Sequence, residues 1–163
     1  MAERFELTEE MRAVIGQKSP PWTFEVTTTS VRAFARGVGY KDPVYFDVDA
    51  ARQAGYRNLP APPTYLGTPV FIPGKSDDTF SHPRLGGPSL RHGLEGLLDG
   101  GTETEYLGTI CAGDVLTAVS EITSLDVRTS PKLGKMLLVS SLATYRNEQN
   151  EVVALQRAQA IYY

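Results

Sequence analysis

The chain has 163 residues, enough for one domain that buries its own core without disulfides or a structural metal. Its formal net charge of −3 comes from interspersed charges of both signs, so no basic stripe indicates a nucleic-acid partner. Cys111 is the only cysteine, which excludes an internal disulfide framework and a multi-cysteine zinc site and suits a reducing cytosol.

The distribution of apolar residues bears on the cellular location. The first residues, MAERFELTEEM, are charged from the third position and contain no apolar signal segment, and no later stretch has the length of a membrane span. We therefore expect a soluble, cytoplasmic protein that forms a single domain over residues 1–163, without a membrane span, a metal or a nucleic-acid partner.

The first predicted elements are a strand and a helix. Residues 22–28 (WTFEVTT) alternate apolar and polar side chains, which is the two-residue period of a half-buried strand. From Thr29 the apolar residues are spaced i, i+3, i+4 and i+7, which predicts an amphipathic helix capped by one of residues 28–30. Gly39 can end this helix because glycine readily adopts the left-handed conformation.

A loop with charged and phenolic side chains follows the helix. Asp42 precedes Pro43, and a residue before proline is pushed out of the helical region, so residues 40–46 are expected to form a loop. Asp47 can cap a second short helix, which Gly55 closes.

The middle of the chain is less regular. Prolines in residues 61–71 favour a helix of about two turns. Residues 72–101 form a long connection of the kind that usually covers or lines a site. One short helix is predicted within it, with an apolar face formed by Leu90, Leu94, Leu97 and Leu98.

The second half of the chain is predicted to be a β-sheet. Its strand signals are residues 102–106, 115–123, 135–146 and 151–163, with a turn at 111–114 that Asp114 fixes and a hairpin loop at 147–150. These strands are apolar on both faces and two are long, which favours an antiparallel sheet curved round a helix and covered on its other side by a layer or a subunit. The fold class is therefore α+β.

These segments, in this order, resemble the MaoC-like (R)-specific enoyl-thioester hydratases and dehydratases. AFARGVGYKDPVYFD lies where that family carries its hydratase motif, roughly A-x-x-x-G-D-x-N-P-x-H-x-D. LDGGTETEYLGTICAGDVLTA resembles the entry to the sheet in the N-terminal-type, FAS1-like dehydratase domain. The resemblance covers roughly residues 7 to 161, and it implies a single hot-dog fold: a curved antiparallel sheet wrapped round a central helix.

Compared with the family motif, the chain lacks both residues that move protons. Tyr40 stands in place of the catalytic aspartate, Tyr45 in place of the histidine, and Asp42 in place of the asparagine. A phenol with a pKa of about 10 is protonated at neutral pH and cannot act as the usual base. The motif positions that match are Gly39, Pro43 and Asp47.

Other residues of the chain are candidates to replace the aspartate and histidine of the motif. Asp42, His92 and Asp99 are candidate acid or base residues, although a turn or cap, a helix-face histidine and a variable position are the more ordinary interpretations. His82 is a weaker candidate. Arg84 and Arg91 can meet phosphates, but solvated loop arginines are the commoner case, and Cys111 is expected to be a small half-buried hydrophobe.

The resemblance also implies a substrate and a partner. The substrate is an acyl thioester of coenzyme A or acyl carrier protein, and no further cofactor is expected. The leading hypothesis is the acyl-binding half of a heteromeric hydratase, paired with a catalytic subunit. The alternatives are a self-sufficient hydratase or thioesterase and a homodimeric acyl-thioester-binding module without catalysis. The expected substrate-binding residues are Tyr40, Tyr45, Pro63, Tyr65 and Gly100.

Overall fold

A computed structural model describes residues 5–67 and 90–163. Its strands are β1 Trp22–Glu25, β2 Leu97–Tyr106, β3 Val115–Ser130, β4 Gly134–Arg146 and β5 Val152–Tyr162. They form one antiparallel sheet in the order β1-β3-β4-β5-β2. The helices are α1 Glu9–Arg12, α2 Thr28–Gly37 and α3 Val48–Gln53, with 3₁₀ turns at Pro43–Tyr45 and Tyr65–Gly67.

Helix α2 is the central helix, and its start is fixed by local hydrogen bonds. Thr27 caps it, accepting a hydrogen bond at its hydroxyl from the Ser30 backbone N–H, while Ser30 accepts one at its hydroxyl from the Thr27 backbone N–H. The cap lies one residue earlier than the sequence predicts. Because Thr27 is committed to the cap, β1 ends at Glu25 and is shorter than the predicted strand.

The side of α2 that carries Val31, Phe34 and Ala35 is its apolar face. Val31 and Ala35 are fully buried, and Phe34 packs against the main cluster of buried residues. That cluster also contains Leu116, Ala118 and the other inward-facing residues of the sheet next to the helix. The predicted α+β architecture, a curved antiparallel sheet with a helix against its inner face, is confirmed.

A second buried cluster lies farther along the same strands. It consists of Ile122, Leu125, Leu137 and Val139, covered by residues that include Met11 of α1 and by Leu90 and Leu94. Two β-bulges lie beside this second cluster. One lies between Ile122 and Ser124 in β3 and the other between Asp99 and Gly101 in β2.

The two bulges lie on one line across the sheet. Ser124 pairs with Ser140, Ser140 with Gln159, and Gln159 with Gly101, so the irregularities face each other through two regular strands. A bulge bends its strand and increases the local twist. Two bulges on one transverse line therefore bend the sheet at the second cluster, between Ile122 and Leu125, which fits the curvature expected from the long strands.

The prediction of a helix over Leu90 to Leu98 is wrong. Leu97 and Leu98 begin β2 and pair with Tyr162 and Ile161 of β5, and both leucines are exposed. Leu90 and Leu94 do pack on the core, but from an irregular segment. The spacing of these leucines suits a helix, and the pairing offered by β5 overrides it.

The remaining predicted elements are a helix at 61–71, the end of a strand at residue 123 and a hairpin loop at 147–150. Within the predicted helix at 61–71, the described residues form a single 3₁₀ turn, and the rest lies outside the described residues. Strand β3 continues to Ser130, beyond the predicted end at residue 123. The hairpin loop at 147–150 is confirmed, with Asn150 in the left-handed region at φ 64°. Within residues 5–67 and 90–163, no helix has the length and apolar character needed to cross a bilayer.

Substitution at the interface between α2 and the sheet should destabilise the fold strongly. Leu116 is fully buried in the main cluster, so Leu116→Ala should lower the free energy of unfolding by about 2–5 kcal/mol, measured by urea denaturation. Leu133→Ala, at a leucine that is 38% exposed in the β3–β4 turn, is the matched control and should change it by less than about 0.5 kcal/mol. Equal losses in the two variants would contradict this assignment of the core.

Candidate functional site

The hydratase-motif loop leaves α2 through a tight turn. Gly39 has φ 82°, as its sequence position predicts, and the Tyr40 N–H donates to the Ala35 carbonyl over 2.9 Å. Asp42 is extended before Pro43, which opens the 3₁₀ turn. The loop brings the two altered motif residues together: the rings of Tyr40 and Tyr45 stack with centroids 5.4 Å apart and an interplanar angle of 24°.

Both aspartates of the loop bond to backbone N–H groups. Oδ1 of Asp42 accepts from the Val44 N–H over 3.0 Å. Oδ1 of Asp47 accepts from the N–H groups of Asp49 and Ala50 over 2.7 and 3.1 Å, and these bonds lower the pKa of Asp47. Asp47 thus caps α3 as predicted. Asp42 occupies a capping position too, and its carboxylate faces its own loop.

Beside this loop lies a cavity of about 430 Å³, which we call the tyrosine cleft. Three tyrosines and two prolines form much of its wall, together with small and aliphatic residues. Among the residues that the structure describes, none of the lining side chains is charged. The lining residues are Tyr45, Tyr56, Pro60, Ala61, Pro63, Tyr106, Leu107, Gly108, Thr109 and Ile110.

Tyr45 and Tyr106 of the cleft stay neutral at physiological pH. Burial raises the pKa of Tyr106 to about 12, and its hydroxyl donates a hydrogen bond of 2.7 Å to the Pro63 carbonyl. Burial also raises the pKa of Tyr45, and the neighbouring Tyr40, Asp42 and Tyr56 raise it further. These groups can donate hydrogen bonds, but they cannot serve as bases at neutral pH.

The back of the cleft is held by a short pairing between residues 58–61 and 110–112. Ala61 N–H donates to the Ile110 carbonyl and Ala112 N–H to the Leu59 carbonyl, each over 2.8 Å. The Asn58 side chain adds a third bond, from Nδ2 to the Ala112 carbonyl over 2.9 Å. This pairing places the prolines of one segment opposite the strand end that carries Tyr106.

Asp114 ties the same region together as a turn residue. Its Oδ2 accepts from the Cys111 N–H over 2.9 Å and from the Arg57 guanidinium, whose Nη1 also donates to the Thr109 carbonyl. The Cys111 side chain is fully buried, and burial raises the pKa of its thiol. A buried thiol with a raised pKa is a poor nucleophile, so the only cysteine packs as a small apolar residue.

The remaining acid and base candidates lie away from the motif tyrosines. His92 packs against Tyr162 with ring centroids 4.0 Å apart, accepts at Nδ1 from the Leu94 N–H, and has a pKa lowered by burial. Asp99 accepts from the Gly101 N–H in the β2 bulge. Tyr106 pairs with Ala154 of β5, about 27 Å along that strand from Tyr162 at roughly 3.4 Å per residue.

The expected substrate-binding residues do not share one cavity. Tyr45 and Pro63 line the tyrosine cleft, and Tyr40 stacks on Tyr45. Tyr65 is 7% exposed, packs edge-on against Phe34, and shares a 2.7 Å hydrogen bond with the Ser30 hydroxyl.

Gly100 lies in the β2 bulge and lines a different cavity, of about 650 Å³, with Ser140, Gln159 and others. A Cβ at Gly100 would lie 2.8 Å from the Gln159 carbonyl oxygen, so this glycine permits close strand approach. The roles of these residues in binding stay predictions. Arg91 is exposed, and His82 and Arg84 lie outside the described residues.

The sequence pattern does not predict Tyr56 and Tyr106 as site residues. Tyr106 ends a strand whose alternation explains it without a ligand, and Tyr56 follows the glycine that closes α3. The only local hint was the proline-rich run next to them, residues 60–63. Within the described ranges, no group of three or more His, Cys, Asp or Glu residues is arranged to hold a metal ion.

We expect Asp42 to stabilise the loop through the hydrogen bond that it accepts from the Val44 N–H. Asp42→Ala should therefore lower the free energy of unfolding by about 1 kcal/mol. Asp42→Asn should lower it much less, because asparagine keeps the acceptor. Urea denaturation measures both. Asp49→Ala removes an exposed carboxylate with only a long surface ion pair to Arg52 and is the control, expected to change stability little. Equal losses for the alanine and asparagine variants would show that the charge, not the cap, matters.

Two phenols, the buried Tyr145 and the partly exposed Tyr106, should titrate late. The raised pKa values of Tyr106 and Tyr145, each about 12, mean that the folded state favours their neutral forms. Unfolded phenols ionise near pH 10, so the stability contributed by these groups is present below pH 10 and is lost as pH rises towards 12. Rapid-mixing absorbance titration should show a late tyrosinate step that Tyr106→Phe and Tyr145→Phe each reduce.

A late step that survives both Tyr106→Phe and Tyr145→Phe at full amplitude would contradict the assignment.

Comparisons with known proteins agree on one family. Residues 13–156 match the family model described as the FAS1-like dehydratase domain region. A UPF0336 protein of Streptomyces avermitilis is 32% identical over 115 residues, which are 70% of this chain and 72% of that protein. A probable enoyl-CoA hydratase alpha subunit of Thermomonospora curvata is 27% identical over 140 residues, covering 81% of this chain and 43% of that protein.

A solved structure shows the same architecture. The C-terminally truncated HadBC (3R-hydroxyacyl-ACP dehydratase) complex of Mycobacterium tuberculosis contains a chain that matches with a TM-score of 0.65 and 25% identity. The match covers 90% of this chain and 96% of that one. With the family model, the relatives and the hot-dog architecture in agreement, the chain belongs to the FAS1-like dehydratase family of hot-dog hydratases and dehydratases.

Proposed function

We propose that the chain is the acyl-binding half of a heteromeric enoyl-thioester hydratase or 3-hydroxyacyl-thioester dehydratase. A catalytic MaoC-like subunit supplies the aspartate and histidine. The observation that carries this proposal is the stacked pair of Tyr40 and Tyr45 at the two motif positions where the family has its acid and base. The substrate is a thioester of coenzyme A or of a carrier protein, and the single buried cysteine suits the reducing cytoplasm.

Hydration of an enoyl thioester needs an acid and a base that the motif loop does not provide. Hydration of an enoyl thioester requires a base that deprotonates water, an acid for the neighbouring carbon, and hydrogen bonds to the developing oxyanion. Tyr45 is held neutral by its raised pKa, and the Asp42 carboxylate caps its own turn. His92 and Asp99 lie towards the opposite end of β2 and β5 from Tyr106. Since residues 5–67 and 90–163 bring no such acid and base together at the motif loop, we propose that another subunit supplies them.

The tyrosine cleft is suited to binding an acyl group. It has the size of a small-molecule site, and its walls are uncharged and largely apolar. Burial of an acyl tail is worth roughly 0.8 kcal/mol per methylene, so four carbons contribute about 3 kcal/mol. A subunit with such a cleft can set the preference for an acyl group without taking part in proton transfer.

The edge of the sheet supports pairing with a second hot-dog subunit. Strand β2 is an edge strand that pairs only with β5 in the described part of the chain, and Leu97 and Leu98 on it are 57% and 44% exposed. An exposed edge with apolar side chains is a template for another strand. The names of the two similar proteins, an alpha subunit and a two-component complex, support the same arrangement.

The test is a hydration assay with crotonyl-CoA on the isolated chain and on the complex that co-purifies with it. The isolated chain should show no turnover, and the complex should be active. In the complex, Tyr45→Leu should raise KM about three- to tenfold with little change in kcat, because it removes ground-state binding only. Tyr163→Leu, outside the cleft, should change neither constant.

Strong turnover by the isolated chain would overturn the proposal in favour of a self-sufficient enzyme. If no active complex forms but acyl thioesters bind, the chain is instead a homodimeric acyl-binding module, the alternative that the same cleft also fits.

A further inference from the structure

Two of the rings that line the tyrosine cleft are held in place by contacts within the chain. The Tyr45 ring is supported by the stacked Tyr40 ring, and the Tyr106 ring by its hydrogen bond to the Pro63 carbonyl. Pro60 and Pro63 add side chains on backbone whose φ angle the pyrrolidine ring restricts. Such walls adapt poorly to a flexible chain, and they favour a ligand whose shape matches them at the outset.

The cleft also concentrates aromatic faces where charge is absent. Tyr45, Tyr56 and Tyr106 all line it, and Tyr45 lies near enough to Tyr56 for the second phenol to raise the pKa of the first. Aromatic rings attract one another in offset-stacked or edge-to-face arrangements beyond the gain from burial. A puckered or linear alkyl group of the same carbon count cannot make that contact.

We propose that the tyrosine cleft selects acyl groups with a flat aromatic or conjugated tail over saturated tails of equal size. This inference rests on the proposed acyl-binding function and names its substrate class. The selection comes from ring contacts with Tyr45, Tyr56 and Tyr106, so the cleft prefers a flat tail although a saturated tail is the more hydrophobic. Burial alone predicts the opposite order of affinity.

Isothermal titration calorimetry of the full chain with three enoyl thioesters of equal carbon count tests the proposal. Cinnamoyl-CoA carries a flat ring, 3-cyclohexylacryloyl-CoA a puckered ring of the same carbon number, and trans-2-nonenoyl-CoA a flexible chain. We expect cinnamoyl-CoA to bind about three- to tenfold more tightly than the cyclohexyl compound. The comparison of the two rings removes differences in chain flexibility, and the enoyl absorbance reports whether any ligand is consumed.

Variants assign the preference to the cleft. Tyr45→Leu and Tyr56→Leu should bring the ratio of the two affinities down towards one, while Tyr45→Phe should keep it because the ring remains. Tyr56 is 37% exposed, so its substitution tests the idea even if Tyr45→Leu does not fold. Tyr163→Leu, at an exposed ring outside the cleft, is the control and should keep the ratio of the native chain.

The outcomes separate this inference from the function on which it rests. Equal or tighter binding of the cyclohexyl compound, or a ratio unchanged in both leucine variants, overturns the inference and leaves acyl binding in place. Failure of all three thioesters to bind overturns the acyl-binding function and the inference together.

Discussion

The burial of one face of α2 against the sheet determines the rest of this structure. Val31 and Ala35 are removed from solvent completely, which fixes the rotation of the helix about its axis. The chain leaves the helix where the apolar face ends, and Gly39 reverses its direction there. The motif loop therefore lies at the same end of the sheet as Tyr106. The position of the cleft is therefore a result of core packing as much as of the loop sequence.

Under the predicted alignment with the family motif, two phenols stand in place of an ionisable pair, and this changes what this end of the sheet can contain. A carboxylate and an imidazole that work in acid–base chemistry need water, hydrogen-bond partners or each other, because burial of an unpaired charge is costly. Tyr40 and Tyr45 instead support each other through their ring faces, and no charged side chain lines the cleft. The turn and its cap depend on Gly39, Asp42 and Pro43, and neither tyrosine takes part in them through its side chain.

Local chemistry explains which features could be predicted from the sequence. The central helix, the turn at Gly39 and the cap at Asp47 depend on residues within one or two turns of each other, and each lies within a residue of its expected place. The start of β2 was missed because the leucines there suit a helix, and only the pairing of Leu97 with Tyr162 decides otherwise.

The cleft was anticipated only in part for the same reason. Tyr45 and Pro63 were expected to contact substrate, but their meeting with Tyr56 and Tyr106 depends on contacts distant in sequence. The backbone pairing of residues 58–61 with residues 110–112 brings these side chains together. Neither segment has a hydrophobic period or a motif that predicts this pairing. Gly100 was grouped with these residues by resemblance, whereas the sheet register places it at the bulge.

The alignment of the two bulges has a consequence for how the protein can change. The line through Gly101, Gln159, Ser140 and Ser124 crosses the second buried cluster, since Ile122 lies on one side of it and Leu125 on the other. A change in the size of a side chain in that cluster therefore acts on the packing at the bend itself. The main cluster keeps to the side that holds Leu116 and Tyr145, and Ile110 belongs both to it and to the lining of the cleft. Repacking of the second cluster should thus change the curvature of the sheet before it changes the aromatic walls.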